Sequence, residues 1–301
     1  MSPTDAPGAT PLSRQYAKVV ELEDFRDADL ARLLEEVSPG ETADRPHRKP
    51  WEFAMGAGFL RDAGRLGGDA EILDVGAGSE PILYWLANRA RRVVATDIYG
   101  RGSFGDREAV ASMLEDPAAH APYPYPEDRL EVRDMDARAL DFPNASFDAV
   151  VSFSSIEHFG GPDDIARSAA EIGRVLRPGG HAFLVTEVFV EHHPVDRAPV
   201  LAAVRALSLG RYCKGATLRR RTIAECFTPR ELRKRIIEPS GLTLMQPLRL
   251  EQSPESRANG HSVNPDGSVT SSTGAPYPHL AIRAHRSTFS SICLPLVKPS
   301  A

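Results

Sequence analysis

The stretch Glu71-Ile72-Leu73-Asp74-Val75-Gly76-Ala77-Gly78-Ser79-Glu80-Pro81 constrains the fold more than any other part of the chain. It reads as a buried strand that ends in a glycine turn and runs straight into a helix, with Pro81 suited to the helix's first turn. Glycine has no Cβ and tolerates positive φ, so such a turn lets the backbone approach a ligand closely. The free N–H groups of the helix start then point at that ligand. Nucleotide-type cofactors bind at such places, outside the carboxyl ends of parallel strands.

The flanking sequence continues the pattern. Strands are expected at 72–75, 93–96, 130–132, 147–153 and 182–190, with helices at 82–88, 107–115 and 163–176 between them. Alternation at this spacing implies right-handed βαβ units and a mostly parallel sheet with helices on both faces. Upstream, 27–37 and 51–66 have helical periodicity and form an N-terminal helical cap over 16–69, after a disordered tail, 1–15. The cofactor-binding core is 70–190. An insertion, 191–226, contains a helix at 200–207. The remainder, 227–301, holds a helix that starts at Thr228-Pro229-Arg230-Glu231, a strand at 242–250, a polar loop at 251–277 and a strand at 289–297. Residues 16–301 are read as a single domain.

Composition limits the function classes. The chain has 301 residues and a net charge of −5, which gives no global pull towards nucleic acid or anionic membranes. Cys213, Cys226 and Cys293 form no C-x-x-C pair, and an odd number argues against a disulfide framework. The first residues lack the apolar core of a signal peptide, and no apolar run reaches transmembrane length. A cytoplasmic enzyme is the expectation; the oligomeric state is open.

The dinucleotide fingerprint requires G-x-G-x-x-G. Gly76 and Gly78 supply its first positions, but Pro81 stands at the third, where it cannot give close helix–strand packing. That leans away from a nicotinamide cofactor. Asp97 ends the second strand, about twenty residues on, where a carboxylate can accept ribose hydroxyls. Asp134 and Asp136 follow the third strand, where an Asp can accept from an adenine amino group; Asp136 is favoured. The segments Leu140-Asp141-Phe142-Pro143, Ser152-Phe153-Ser154-Ser155-Ile156-Glu157-His158 and Leu176-Arg177-Pro178-Gly179-Gly180 complete the series.

In combination these residues resemble the class I S-adenosylmethionine-dependent methyltransferase family over roughly residues 70–190. The resemblance implies a Rossmann-like, seven-stranded sheet, six strands parallel and the last antiparallel. It implies S-adenosylmethionine as cofactor. Gly76, Ala77 and Gly78 would approach its methionine part, with Asp74 at the base of the turn. Asp97 would bind the ribose and Ile98 lie beside the adenine. Asp136 and the backbone of Ala137 would face the adenine amino edge, and Phe153 and Ser154 would lie under the cofactor. The family pattern often carries a third glycine where this chain has Glu80. Its carboxylate would sit near the cofactor's methionine carboxylate, unless it turns outward or caps the helix.

Methyl transfer needs alignment, exclusion of water and sometimes removal of one proton. His158 is the first choice for general base, because an imidazole titrates near neutrality, and Glu187 the second. His279 is a loop residue that could return over the site. The adjacent His192 and His193 point to opposite faces of an extended segment, so metal ligation by this pair is not expected. Trp51 and Phe53 are candidate pocket walls. The basic stretch from Arg211 to Arg235 fits either a solvated face or an anionic small-molecule acceptor; nucleic acid is not the expected partner. Competing readings are a nicotinamide-dependent oxidoreductase on the same sheet and a non-catalytic cofactor-binding module.

Overall fold

The computed structural model describes residues 12–193, 203, 206–207, 225–263, 269–271, 280–284 and 286–300. The strands are β1 (Gly67–Val75), β2 (Ala90–Asp97), β3 (Leu130–Asp134), β4 (Phe147–Phe153), β5 (Leu176–Glu191), β6 (Thr243–Leu244), β7 (Gly260–Val263), β8 (Val269–Ser271), β9 (Ala281–Ala284) and β10 (Ser287–Val297). They form one ten-stranded sheet in the order β3-β2-β1-β4-β5-β10-β9-β7-β8, with β6 paired to β10. From β3 to β5 all neighbours are parallel, and β10 runs antiparallel to β5. The strand order reverses between β1 and β4, so the crevice for a ligand opens at their carboxyl ends.

Among the described residues the seven strands expected are ten. The difference comes from 251–284, which includes the polar loop expected at 251–277, where α6 (Pro254–Ala258) and strands β7, β8 and β9 extend the far edge of the sheet. Alternation is weak in these short strands, and backbone pairing rather than apolar pattern holds them. Conversely, the strand expected at 242–250 shrinks to Thr243–Leu244. Beyond it, Arg249 bridges to Lys18.

Helices cover the sheet. α1 (Ala28–Val37) buries Leu30, Leu33, Leu34 and Val37, one helical face, and the Asp27 side chain caps it by accepting the Leu30 N–H at 2.8 Å. α2 (Arg48–Asp62) is buried almost all round from Pro50 to Leu60, as a helix packed between α1 and the sheet must be. α3 (Ile82–Ala87) follows the glycine turn and is wholly buried. The helix expected at 107–115 is replaced by short 3-10 turns, Gly102–Phe104 and Ala111–Leu114. α4 (Pro162–Val175) begins with proline and the acidic Asp163 and Asp164, which suit a helix N-terminus. α5 (Pro229–Leu232) runs on through a π-helical stretch, Arg233–Ile237, to a last turn at Glu238–Ser240. The helix expected at 200–207 lies largely outside the described residues.

Two of the sequence motifs are structural. Arg177 joins the bases of β1 and β4 through Asp148 at 2.6 Å and Glu71 at 3.1 Å. Arg174 holds the loop at 140–144 by donating to the carbonyls of Leu140 and Phe142, each at 2.7 Å. No helix among the described residues is long and apolar enough to cross a membrane. Cys226 and Cys293 are buried free thiols, and Cys213 lies outside the described residues.

Candidate cofactor-binding and acceptor site

The glycine turn leaves β1 with its backbone fixed on both sides. The N–H groups of Gly76 and Ala77 donate to the Thr96 carbonyl at 2.8 and 3.1 Å, and the Ser152 hydroxyl donates to the Val75 carbonyl at 2.7 Å. Gly76 has φ +74° and Gly78 has φ +51°, the left-handed region that side-chain-bearing residues rarely adopt. A Cβ at Gly76 would stand 2.5 Å from Ser155 Cβ, and one at Gly78 would stand 2.8 Å from the Glu108 carbonyl oxygen. The turn is thus closed from two directions, by the segment after β4 and by the loop after β2.

Asp97 sits at the end of β2 beside this turn. Its carboxylate accepts the Gly78 N–H at 3.0 Å and the Ile98 N–H at 2.7 Å. Burial pushes its pKa up, and the backbone donors pull the other way. Ile98 is 37% exposed, unusual for a large apolar side chain in this chain and suited to a ligand ring lying against it. Ala137 is buried. Asp136 is placed differently from the expectation. Its carboxylate is gripped by Arg138, with Nη2 to Oδ2 at 2.6 Å, and the side chain is 41% exposed. Arg138 lies two residues on in a turn, a local pairing that the strand–helix pattern does not reveal. Phe153 turns its ring into the core against Phe53, with centroids 5.3 Å apart, and leaves its carbonyl facing the site. Ser154 has φ +50° and donates to Glu52 Oε2 at 2.9 Å.

Asp74 and Glu80 supply carboxyl oxygens that have no hydrogen-bond partner. Asp74 is fully buried, and neither of its carboxylate oxygens has a hydrogen-bond partner. Burial raises its pKa well above the usual carboxylate range, and Glu80 adds to the effect. Glu80 is pushed up to about 7 by burial, opposed by Lys49. Its Oε1 accepts from Lys49 Nζ at 2.8 Å, while its Oε2 has no partner. Glu80 therefore neither turns outward nor caps its helix.

Lys49 belongs to the start of α2, a part of the site that periodicity alone does not disclose. Arg48 and Glu52 come from the same turn. Arg48 pairs with Glu187 at 2.8 Å and with Glu52 at 3.1 Å. The signal available in the sequence was three charged residues, Arg48, Lys49 and Glu52, in a helix otherwise apolar enough to be buried. Trp51, expected as a pocket wall, is core: it is fully buried, and its indole N–H donates to Asp24 Oδ2 at 3.0 Å.

Among the acceptor-side candidates, Glu187 is occupied by Arg48 and also faces the Cys226 thiol at 3.7 Å. His158 lies in a 3-10 turn, Ile156–His158, with a quarter of its side chain exposed. Its ring rests on Phe104, centroids 4.7 Å apart, and Nδ1 is 3.7 Å from Glu225 Oε1. Burial works against the imidazolium, but Glu225 and Glu157 outweigh it, so its pKa is raised. Glu157 beside it is buried and pushed up to about 7 by that burial. One of its oxygens accepts from Thr186 at 2.8 Å and the other has no partner. Glu191 pairs with Arg257 at 2.5 Å and His192 stacks on Phe189, centroids 4.3 Å apart. No group of three or more metal-ligating side chains occurs among the described residues, and His279 lies outside them.

Comparison with known proteins finds similarity over the core of the chain. Residues 73–184 match the family described as methyltransferase domain. The chain is 38% identical over 78 residues to a phosphatidylethanolamine N-methyltransferase of Cereibacter sphaeroides, covering 26% of this chain and 34% of that protein. It is 35% identical over 116 residues to a probable S-adenosylmethionine-dependent methyltransferase of Mycolicibacterium smegmatis, covering 38% of this chain and 37% of that protein. The chain thus spans about a third of the length of these two relatives. Among solved structures it is similar to the YcgJ protein from Bacillus subtilis, at 16% identity and a TM-score of 0.49, over 83% of this chain and 99% of that one. The family's cofactor is S-adenosylmethionine, whose amino-acid end carries an ammonium. The unpartnered, buried Asp74 and Glu80 oxygens suit such a group, and Asp97 at the strand end suits a ribose. Over residues 73–184 the chain is thus similar to S-adenosylmethionine-dependent methyltransferases.

Proposed function

We propose that this protein transfers a methyl group from S-adenosylmethionine to a small-molecule acceptor, at oxygen or nitrogen. One observation carries the reading: the glycine turn at Gly76–Gly78 is faced by buried carboxylates, Asp74 and Glu80, that hold unpartnered oxygens. A nicotinamide dinucleotide would bring its pyrophosphate to such a turn, where carboxyl oxygens that can only accept offer it no donor. A ligand with an ammonium and a sulfonium is favoured there.

Gly76, Ala77 and Gly78 bring the backbone up to the ligand, and Asp97 takes the ribose hydroxyls in place of the Gly78 N–H. Ile98 and the backbone of Ala137 flank the adenine, and Asp136 reaches it by releasing Arg138. When bound, the cofactor supplies a methyl group on a sulfonium whose leaving group is a neutral thioether. The protein's remaining work is to align the acceptor, exclude water and take its proton. His158 is the group for the proton. Glu187 is already charge-paired with Arg48, which makes it a positioning residue for the start of α2.

The acceptor charge expected of the basic stretch rests on Arg211, Lys214, Arg219, Arg220 and Arg221, which lie outside the described residues. Further on, Arg230, Arg233 and Lys234 are exposed, and Arg235 pairs with Glu231 at 2.8 Å. The test is release of S-adenosylhomocysteine from S-adenosylmethionine, measured against panels of amines, phenols and carboxylic acids. Release above the solvent background with one panel supports the reading. Cofactor binding with no release across all panels would favour the non-catalytic module.

A further inference from the structure

Glu157 stands apart from the acids around it. It lies in the 3-10 turn after β4, two residues beyond Ser155, whose hydroxyl donates to the Gly76 carbonyl at 2.7 Å. Its partner Thr186 follows Val185 on β5, and Val185 is opposite Phe153, the last residue of β4. Glu157 therefore sits on the β5 side of the glycine turn, beside His158, the group proposed to take the acceptor's proton. The neighbouring acids have cationic partners: Arg48 pairs with Glu187 at 2.8 Å and with Glu52 at 3.1 Å, and Glu225 is 3.7 Å from His158 Nδ1. Glu157 is 3% exposed; one oxygen accepts from Thr186 at 2.8 Å, and Oε1 has no partner. A bond from one hydroxyl does not require a carboxyl, since an amide would accept it as well. A buried carboxylate without a counter-charge costs stability, so its structural contacts do not account for it. What this place lacks is a cation.

We infer that the acceptor is a primary or secondary amine, which binds as its ammonium ion and donates an N–H to Glu157 Oε1. The inference rests on the methyl-transfer reading above and narrows its acceptor atom from oxygen or nitrogen to nitrogen. An ammonium supplies both the donor and the charge that Glu157 lacks. A carboxylate or phosphate acceptor would instead add negative charge beside Glu157, Glu187 and Glu225. Methylation needs the nitrogen lone pair, so the bound ammonium first gives one proton to the neutral His158 ring. The free amine then forms the new N–C bond as the methyl–sulfur bond breaks, and the electron pair of the broken bond stays on sulfur. The nitrogen of the product is again positively charged, and the sulfur product is a neutral thioether. Glu157 faces that positive charge before and after the transfer.

The test is release of S-adenosylhomocysteine by the full chain with acceptors matched on one carbon frame, beginning with phenethylamine, 2-phenylethanol and phenylacetic acid and extending to other amine, alcohol or phenol, and acid sets. Within a set that responds, the amine should react at least about 10-fold faster than its partners. In Glu157→Gln the KM of that amine should rise about 10- to 100-fold, the usual effect of losing one hydrogen bond to a charged group. Its kcat should fall by less, and S-adenosylhomocysteine affinity, read by calorimetry, should stay within about twofold. Release with alcohols, phenols or acids while the amines stay silent would overturn the inference and leave methyl transfer standing, even if Glu157→Gln failed to fold. So would an unchanged amine KM in Glu157→Gln. Release with no member of any set would remove the methyl-transfer reading and this inference together.

Discussion

Asp97 Oδ2 accepts the Gly78 N–H at 3.0 Å, so the acid at the end of β2 and the glycine turn at the end of β1 hold each other in position. The two strands that carry them are parallel neighbours, with Val75 opposite Thr96. The turn's shape and the carboxylate's position are consequently one feature. On the proposed cofactor reading, a substitution at Asp97 would act both on ribose binding and on the turn itself.

Asp97→Ala should weaken S-adenosylhomocysteine binding by about 1–3 kcal/mol, the loss expected for hydrogen bonds to a charged group. If Asp97 serves the adenosyl part, as proposed, 5′-methylthioadenosine should weaken by a similar amount. Calorimetry measures both. Unchanged affinities would show that the ribose does not bind at this strand end.

His158 should set the alkaline requirement of the reaction. Its pKa is raised above the ordinary 6.5 by Glu225 and Glu157, so the neutral, proton-accepting ring is reached only at higher pH. The pH profile of kcat/KM should rise through an apparent pKa above 6.5. Glu225→Gln should shift that limb to lower pH, and His158→Ala should cost about 100-fold or more in rate at the plateau. A limb that stays in place in Glu225→Gln would remove His158 from the proton transfer.

Glu157 should make the fold less stable as pH rises. Burial puts its folded pKa at about 7, above its ordinary 4.5. Below 4.5 both folded and unfolded states hold the proton and nothing is lost. Between 4.5 and about 7 the folded state holds it and the unfolded state does not, so stability falls with rising pH, and above about 7 the penalty is constant. Glu157→Gln keeps an acceptor for Thr186 without the charge. Its Tm advantage over the unaltered protein should grow from pH 5 to pH 8. An advantage independent of pH would mean that Glu157 is not a strained carboxylate.

The parallel half of the sheet was legible because its strands are buried on both faces and read as continuous apolar runs, as in Phe147–Phe153. The glycine turn was legible because only glycine fits its positive φ values. The far edge was not: Gly260–Val263 and Ala281–Ala284 are too short for an apolar period to stand out, and they pair across a long sequence separation. The order of motifs put Asp74, Asp97 and Glu80 beside the glycine turn. It could not place Arg48, Lys49 and Glu52, because their roles depend on how α2 docks on the ends of β4 and β5, a packing relationship that spacing does not encode. The pairing of Asp136 with Arg138 was likewise hidden, since two neighbours in a turn carry no periodic signal.

The most direct test of the account is calorimetric titration of the full chain with S-adenosylhomocysteine and, separately, with NAD. The account predicts saturable binding of S-adenosylhomocysteine at one site and no measurable binding of NAD, because Asp74 and Glu80 bring carboxyl oxygens without partners to the glycine turn. Binding of NAD with no response to S-adenosylhomocysteine would contradict it.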